Sequence, residues 1–167
     1  MTNPRKPFRI NVGFIVHEEV GYSHEIPFEF DKAKLEDLEV SNLTGSVQIG
    51  RTPQGLIVQG KFSADTALEC VRCLQSFDQR LDWEITELYA FKKGSVSETG
   101  LLLPDDMQID LAPLLREYAL LEVPINPIHD PDCKGLCIEC GQDLNVKDCG
   151  HSQHTDDSPF SVLKKLL

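Results

Sequence analysis

Cysteine and histidine side chains in this chain have the types and the spacing of metal ligands. Cys70 and Cys73 form a Cys-x2-Cys pair near the middle of the sequence, and a second, longer group follows toward the C-terminus. The second group consists of His129, Cys133, Cys137, Cys140, Cys149 and His151. Thiolate and imidazole are the ligands that zinc prefers, and a structural zinc takes four of them. The two groups together therefore predict structural zinc.

These ligands divide into two sets of four. Cys137 and Cys140, followed by Gly141, form a pattern typical of a zinc knuckle, because glycine permits the left-handed turn that directs backbone N–H groups at the sulfurs. Cys149 and His151 complete this set. The remaining ligands form a site that would staple the C-terminal tail to a sheet, and they are Cys70, Cys73, His129 and Cys133. We favour this arrangement of two sites.

The residues alone leave a second arrangement open. A single four-cysteine site would contain Cys133, Cys137, Cys140 and Cys149, and it would leave Cys70 and Cys73 as a redox pair or as buried thiols. A redox function for that pair is the weaker prediction, because no βαβ pattern of the thioredoxin kind surrounds it.

The sequence contains no motif that indicates catalysis. A catalytic zinc keeps an open coordination position, and the chain has no HExxH helix, nucleophile elbow or phosphate loop. We therefore expect no enzymatic activity and no small-molecule substrate. The alternative function is a zinc-dependent hydrolase, or a thiol redox protein that uses Cys70 and Cys73.

Period-two patterns predict the strands that position the first cysteine pair. Strands are expected over residues 8–16 and around Phe28 and Phe30, and a hairpin is expected over 43–62 with its turn at 52–55. The charged stretch 31–39 has no strand signal. Cys70 and Cys73 lie at the turn between a strand over about 66–70 and a longer one. That longer strand has apolar residues at one parity, namely Leu81, Trp83, Ile85 and Tyr89.

A helix is predicted over residues 110–123. Asp110 is placed to cap it, and Pro124 ends it after a run of apolar residues at helical spacing. A short final helix is predicted from Ser158 to Leu167. The predicted fold is α+β and β-rich, with an antiparallel sheet or partly open barrel, one packed helix and a C-terminal zinc-binding tail that ends in the short helix. Residues 1–124 would form the β-rich body, and residues 125–167 the tail packed on it.

Composition restricts the class of protein further. The chain has 167 residues, of which 41% are hydrophobic, so it can bury a core. It has no long apolar run, and we expect a cytoplasmic protein in which clustered cysteines bind metal rather than form disulfides. The net charge of −11 disfavours general coating of nucleic acid and is best explained as a charge that keeps the protein in solution; the functional alternative is a basic protein partner or a local basic patch. The candidates for a local basic patch are Arg51, Lys61, Arg72, Arg80, Lys134 and Lys147.

The sequence resembles the YceD family, also called large ribosomal RNA subunit accumulation proteins. The resemblance rests on Gly55 to Gly60, on Glu69-Cys70-Val71-Arg72-Cys73-Leu74, on Asp110 to Glu122 and on the run from Cys133 to Asn145. It implies a bacterial or organellar-type, non-enzymatic ribosome-biogenesis factor that supports accumulation of large-subunit ribosomal RNA. Its partner would be a ribosomal protein or a large-subunit precursor particle, with local contact to ribosomal RNA. Where the family pattern has cysteines in the tail, this chain has His129 and His151, and imidazole also ligates zinc.

Overall fold

The structure, a computed structural model, describes residues 7–95 and 100–151. Contacts divide the chain into two compact units. The first unit consists of Met1–Ala67 and Asp78–Ile125, and the second consists of Leu68–Phe77 and Asn126–Leu167. The segment around Cys70 and Cys73 therefore groups with the tail residues rather than with the strands that flank it. The predicted packing of residues 125–167 on residues 1–124 stays a prediction.

An antiparallel sheet of long strands forms most of the first unit. Its strands are β2 (Ser23–Leu35), β3 (Leu38–Arg51), β4 (Gly55–Glu69) and β5 (Ser76–Ala90), in the spatial order β2-β3-β4-β5. The order is that of an open sheet with β2 and β5 at its edges. A second antiparallel pair joins β1 (Arg9–Asn11) to β6 (Gln108–Asp110). The predicted β-rich α+β class with an antiparallel sheet is confirmed.

The predicted absence of strand from residues 31–39 is wrong. β2 and β3 pair through Lys32–Ser41, Ala33–Val40 and Leu35–Leu38, and Glu36 occupies the tight turn with φ 57°. The alternation of apolar and polar residues is interrupted in the sequence because the strand contains a bulge. Asn42 has φ 51°, and the register of β3 against β4 shifts between Ser41 and Thr44. A bulge of this kind moves the inward-facing positions from one parity to the other.

The predicted strand over residues 8–16 is correct only in its first half. β1 ends at Asn11, and residues Gly13–Val16 form a short helix, α1. The Asn11 side chain accepts a hydrogen bond from the Gly13 N–H at 2.9 Å, a local turn that competes with strand continuation. As a result Val12 and Ile15 are fully buried, while Phe14, which the alternation places inside, is 47% exposed.

One longer helix, α2 (Ala112–Glu122), packs in the first unit and confirms the predicted helix within two residues at its start. Asp110 lies one position before the N-cap residue Leu111, and its carboxylate accepts a hydrogen bond from the Ala112 N–H at 3.1 Å. Leu114, Leu115 and Ala119 are buried in a core shared with the inward faces of the strands. The predicted final helix at 158–167 lies outside the described residues. Among the described residues, no helix, including α1 and α2, is long and apolar enough to cross a membrane.

Candidate metal centre

The first ligand set begins at the turn between β4 and β5, in the second unit. Cys70 immediately follows β4, and its backbone N–H donates to Gln75 O at 2.9 Å while its carbonyl accepts from the Leu74 N–H at 2.9 Å. Leu74 has φ 62°, the left-handed conformation that closes the turn. The two cysteines of the pair are therefore held on one tight loop.

A second loop with the same backbone pattern carries Cys137 and Cys140. The Cys137 N–H donates to Gln142 O at 2.8 Å, and its carbonyl accepts from the Gly141 N–H at 2.9 Å. Gly141 has φ 71°, which confirms the left-handed turn predicted at this glycine. Both cysteine pairs thus have the geometry of a zinc knuckle, although leucine replaces glycine at the left-handed position of the first.

The structure brings the eight predicted residues into two groups. Cys70, Cys73, His129 and Cys133 form the first cluster, and Cys137, Cys140, Cys149 and His151 form the second cluster. Within each cluster the four ligand atoms lie within 4.8 Å of one another. This grouping matches the favoured division into two sets of four rather than the single four-cysteine set, while metal binding by these residues stays a prediction.

The distances fit a tetrahedral ion. Two sulfurs bound at about 2.3 Å to one zinc lie about 3.8 Å apart, and a sulfur and an imidazole nitrogen lie about 3.6 Å apart. In the first cluster the Cys70 and Cys133 sulfurs are 3.9 Å apart, and Cys73 Sγ is 3.4 Å from His129 Nδ1. In the second cluster Cys137 Sγ is 3.7 Å from His151 Nδ1. Each donor set, three sulfurs and one nitrogen, is therefore suited to zinc.

The two clusters differ in burial. Cys70, Cys73 and Cys133 are buried and form a small apolar cluster with Phe77, Ile128 and Leu136. In the second cluster Cys137 is buried, whereas Cys140 is exposed and Cys149 is intermediate. Solvent therefore has more direct access to the ligands of the second cluster.

Electrostatics in the first cluster favour one thiolate over another. Burial raises the pKa of the Cys70 thiol, but hydrogen bonds from the His129 ring and from nearby backbone N–H groups outweigh it and bring that pKa to about 5. Burial and the neighbouring sulfurs of Cys70 and Cys133 raise the pKa of Cys73 to about 11. Adjacent buried sulfurs resist sharing several negative charges, and a divalent cation among them removes that repulsion.

In the second cluster, too, the pKa of one thiol is lowered and that of another is raised. Backbone N–H groups of Cys140 and Glu139 lower the pKa of Cys137 to about 6 against the effect of burial. For Cys149 the His151 N–H lowers the pKa, but contact with Cys137 and burial outweigh it, so that this pKa is raised. The imidazole Nε2 of His151 also lies 3.7 Å from Glu139 Oε2, on the side of the ring away from Nδ1. A carboxylate in that position orients a ligating imidazole.

Hydrogen bonds outside the ligand sets hold the second unit together. Arg72, between the first two cysteines, donates from Nη1 to Cys133 O at 2.9 Å, and its own carbonyl accepts from the Leu136 N–H at 3.0 Å. Asn145 Nδ2 donates to Cys133 Sγ at 3.4 Å. Sequence reasoning did not assign a function to Asn145, although an Asp-x-Asn turn signals local side chain–backbone bonding.

The candidate basic residues of the first unit are engaged within the chain. Arg51 lies over the Phe91 ring, 4.3 Å from its centroid, and donates to Val16 O at 3.1 Å. Lys61 pairs with Glu84 at 2.6 Å. Arg80 pairs with Asp65 at 3.2 Å. Their side chains therefore do not form a free basic surface.

An open antiparallel sheet and two cysteine–histidine clusters with knuckle geometry define a β-rich protein with a candidate structural metal centre. Comparison with known proteins gives its family. The profile described as "Large ribosomal RNA subunit accumulation protein YceD" matches residues 58–167, and the chain belongs to the YceD family.

Relatives of this chain occur in bacteria and in plants. An uncharacterized protein of Mycobacterium tuberculosis is 30% identical over 163 residues, which cover 92% of this chain and 74% of the relative. The protein YlbN of Bacillus subtilis is 25% identical over 162 residues, 86% of this chain and 92% of YlbN. The chloroplastic large ribosomal RNA subunit accumulation protein YCED homolog 1 of Arabidopsis thaliana is 33% identical over 63 residues, 38% of this chain and 20% of the homolog. No solved structure matches the chain.

Proposed function

We propose that this protein is a non-enzymatic ribosome-biogenesis factor that supports accumulation of large-subunit ribosomal RNA, and that two structural zinc ions shape its second unit. The observation that carries the proposal is the match of residues 58–167 to the YceD family, a segment that contains every ligand of both clusters. The name of the family and of its plant homologs, large ribosomal RNA subunit accumulation protein, supplies the biological process.

The ligand sets support a structural rather than a catalytic metal. The first ion would be held by Cys70, Cys73, His129 and Cys133, and the second by Cys137, Cys140, Cys149 and His151. Four protein ligands fill a zinc tetrahedron, whereas a catalytic zinc keeps one position for water. This favours the non-enzymatic function over a hydrolase or a thiol redox protein based on Cys70 and Cys73.

Charge supports a basic partner. The net charge of −11 attracts a basic ribosomal protein, or a large-subunit precursor particle that presents one, and repels bare nucleic acid. Lys134 and Lys147, both exposed in the second unit, are the candidates for a local contact with ribosomal RNA. We place this activity in the cytoplasm.

Metal analysis tests the proposed centre. Purified protein is expected to contain two zinc ions per chain, and Cys70→Ser and Cys140→Ser are each expected to retain one. His24→Ala, which changes a histidine outside both clusters, is the control and retains two. A wild-type protein that contains only one zinc per chain, with the same content in Cys70→Ser, would contradict the two-site arrangement.

Ribosomal RNA measurement tests the proposed process. Cells that lack the protein should contain less large-subunit relative to small-subunit ribosomal RNA, and the wild-type gene should restore the ratio. The protein should also co-sediment with large-subunit precursors at low salt and dissociate at high salt, because a charged interface is screened. An unchanged ratio together with absence from such particles would refute the proposed function.

A further inference from the structure

The side chain of Asn145 belongs to the loop that separates two ligands of the second cluster, yet it contacts a ligand of the first. Asn145 lies between Cys140 and Cys149 in the sequence. Its Nδ2 donates to Cys133 Sγ at 3.4 Å, and Cys133 is buried with 4% of its surface exposed. The contact therefore joins the loop of one cluster to a ligand of the other.

The surrounding hydrogen bonds fix the orientation of this amide. Asn145 Oδ1 accepts from the Lys134 N–H at 2.8 Å, and Nδ2 donates to Asp143 Oδ1 at 2.8 Å as well as to the sulfur. Turning the amide over would place Nδ2 against the N–H of Lys134 and Oδ1 against a carboxylate oxygen of Asp143. Both contacts would be repulsive, so the N–H must face Cys133 Sγ.

The aspartate that fixes the amide is itself held by the backbone. Asp143 Oδ1 accepts from the Asn145 N–H at 2.8 Å, and Asp143 forms an isolated antiparallel bridge with Leu136. The Leu144 N–H donates to Gly135 O at 3.0 Å. Asn145 is thus anchored to the segment that immediately follows Cys133, at the correct distance to act on that sulfur.

We propose that Asn145 is a positioning residue for the metal of the first cluster, where its side-chain amide donates to the Cys133 thiolate and slows loss of the ion. This inference rests on the proposed zinc centre. A metal-bound thiolate keeps lone pairs that accept hydrogen bonds, and such a bond lowers the negative charge on the sulfur and holds it in the ligating orientation. The loop of the second cluster thereby helps to retain the metal of the first.

Zinc release from the full chain to an excess of chelator tests this function. Cys140→Ser, which retains only the first cluster, identifies the release phase that belongs to that cluster. In Asn145→Ala this phase is expected to be about 10-fold faster, the size typical of lost partners of metal ligands. The phase of the second cluster should be unchanged.

Two further variants separate positioning from general loop stability. Asn145→Asp keeps an acceptor for the Lys134 N–H but turns an oxygen toward the sulfur, so release from the first cluster should be at least as fast as in Asn145→Ala. Gln142→Ala is the matched control, because Gln142 lies in the same loop and its amide donates to Asp143 O rather than to a ligand. Its release rates should equal those of the wild type.

A spectroscopic measurement detects the bond itself. When NMR-active cadmium replaces zinc in the wild-type protein, a through-bond correlation should join one cadmium resonance to a side-chain amide proton of Asn145. This measurement decides the matter even if Asn145→Ala does not fold.

The outcomes distinguish the two proposals. A wild-type protein that binds no metal overturns both. Two bound zinc ions with an unchanged release rate in Asn145→Ala overturn only the positioning function, and so does an equal acceleration in Gln142→Ala. The positioning function is likewise overturned if the cadmium spectrum shows correlations to backbone N–H groups of the knuckles but none to the side-chain amide of Asn145.

Discussion

At the scale of single residues, the second unit depends on backbone conformations that only certain side chains accept. Gly135 has φ 77°, and a Cβ added there would lie 3.0 Å from Arg72 O, the acceptor for Leu136 N–H. Gly141 has φ 71°, and among the described residues no atom beyond its chain neighbours would lie within 4 Å of an added Cβ. The two glycines therefore differ in close approach while sharing the left-handed conformation.

This pair makes a matched prediction. Gly141→Ala should lower the free energy of unfolding by about 1 kcal/mol, the cost of a left-handed alanine. Gly135→Ala should lower it further, because its methyl group would displace the Arg72 carbonyl. Urea unfolding, monitored by zinc release, measures the free energy of unfolding of both variants. Equal decreases in the two variants would contradict the close approach at Gly135.

At the scale of elements, the core of the first unit depends on two local departures from regular strand. One is the change from strand to helix at α1, and the other is the bulge in β3 at which the inward-facing positions change from one parity to the other. α1 turns Val12 and Ile15 inward together, which a strand cannot do for residues three apart. The bulge at Asn42 similarly lets Val40 and Leu43 both face the core. These local departures from regular alternation fill the interior beside the long strands.

Substitutions in α1 test its conformation. Ile15→Ala should lower the free energy of unfolding by about 2–5 kcal/mol, because it leaves a cavity at a fully buried site. Phe14→Ala should cost less than about 1 kcal/mol, because that ring is largely on the surface. Thermal or urea unfolding of both variants measures which substitution lowers the free energy of unfolding more. A larger loss in Phe14→Ala would indicate the strand that the alternation predicts.

The turn between β2 and β3 is linked to α2 by a carboxylate that should titrate at low pH. Two hydrogen bonds from Arg116 hold the pKa of Asp37 at about 2, below its ordinary 3.8. Because the folded pKa is the lower one, this contact contributes stability above about pH 4, and the contribution is lost as the pH falls toward 2. The ion pair between Asp37 and Arg116 is therefore lost only at acid pH, where Asp37 becomes protonated.

Carboxyl NMR titration checks the shift. The Asp37 carboxyl carbon should titrate near 2 in the wild type and near its ordinary value in Arg116→Leu. Arg9→Leu, which removes a separate exposed ion pair with Asp106, should leave the Asp37 titration unchanged. An Asp37 pKa that is the same with and without Arg116 would show that the contact does not persist in solution.

At the scale of the whole molecule, the described residues of the two units form apolar clusters of different size. The first unit has an extensive apolar core of strand and helix residues, among them Leu43, Ile49, Leu81 and Leu115. The described residues of the second unit form a smaller apolar cluster, in which Cys70, Cys73 and Cys133 pack with Phe77, Ile128 and Leu136. If the proposed zinc centre forms, we expect metal ligation to contribute much of the stability of the second unit, because ligation that exists only in the folded state adds its binding free energy to that of folding.

Chelation should therefore act on the two units differently. Removal of zinc is expected to abolish hydrogen-exchange protection of the Leu136 and Cys137 N–H groups, whose acceptors lie in the second unit. Protection of the Phe91 and Leu115 N–H groups, bonded within the first unit, should persist. Hydrogen exchange with and without chelator measures this, and simultaneous loss at all four sites would show that the units unfold together.

The sequence by itself determined the cysteines and histidines that cluster, the knuckle turn at Cys137, the hairpin of β3 and β4, the inward face of β5 and the helix α2. These features follow from local rules of spacing, alternation and turn chemistry, which a short window of sequence contains. Only the tertiary structure decided that Cys133 joins Cys70 rather than Cys137, that residues 13–16 are helical, that 31–39 form a hairpin and that Asn145 reaches Cys133. Each of these depends on residues that are distant along the chain, or on a bulge or turn whose competing local conformations differ little in energy until the rest of the chain is packed.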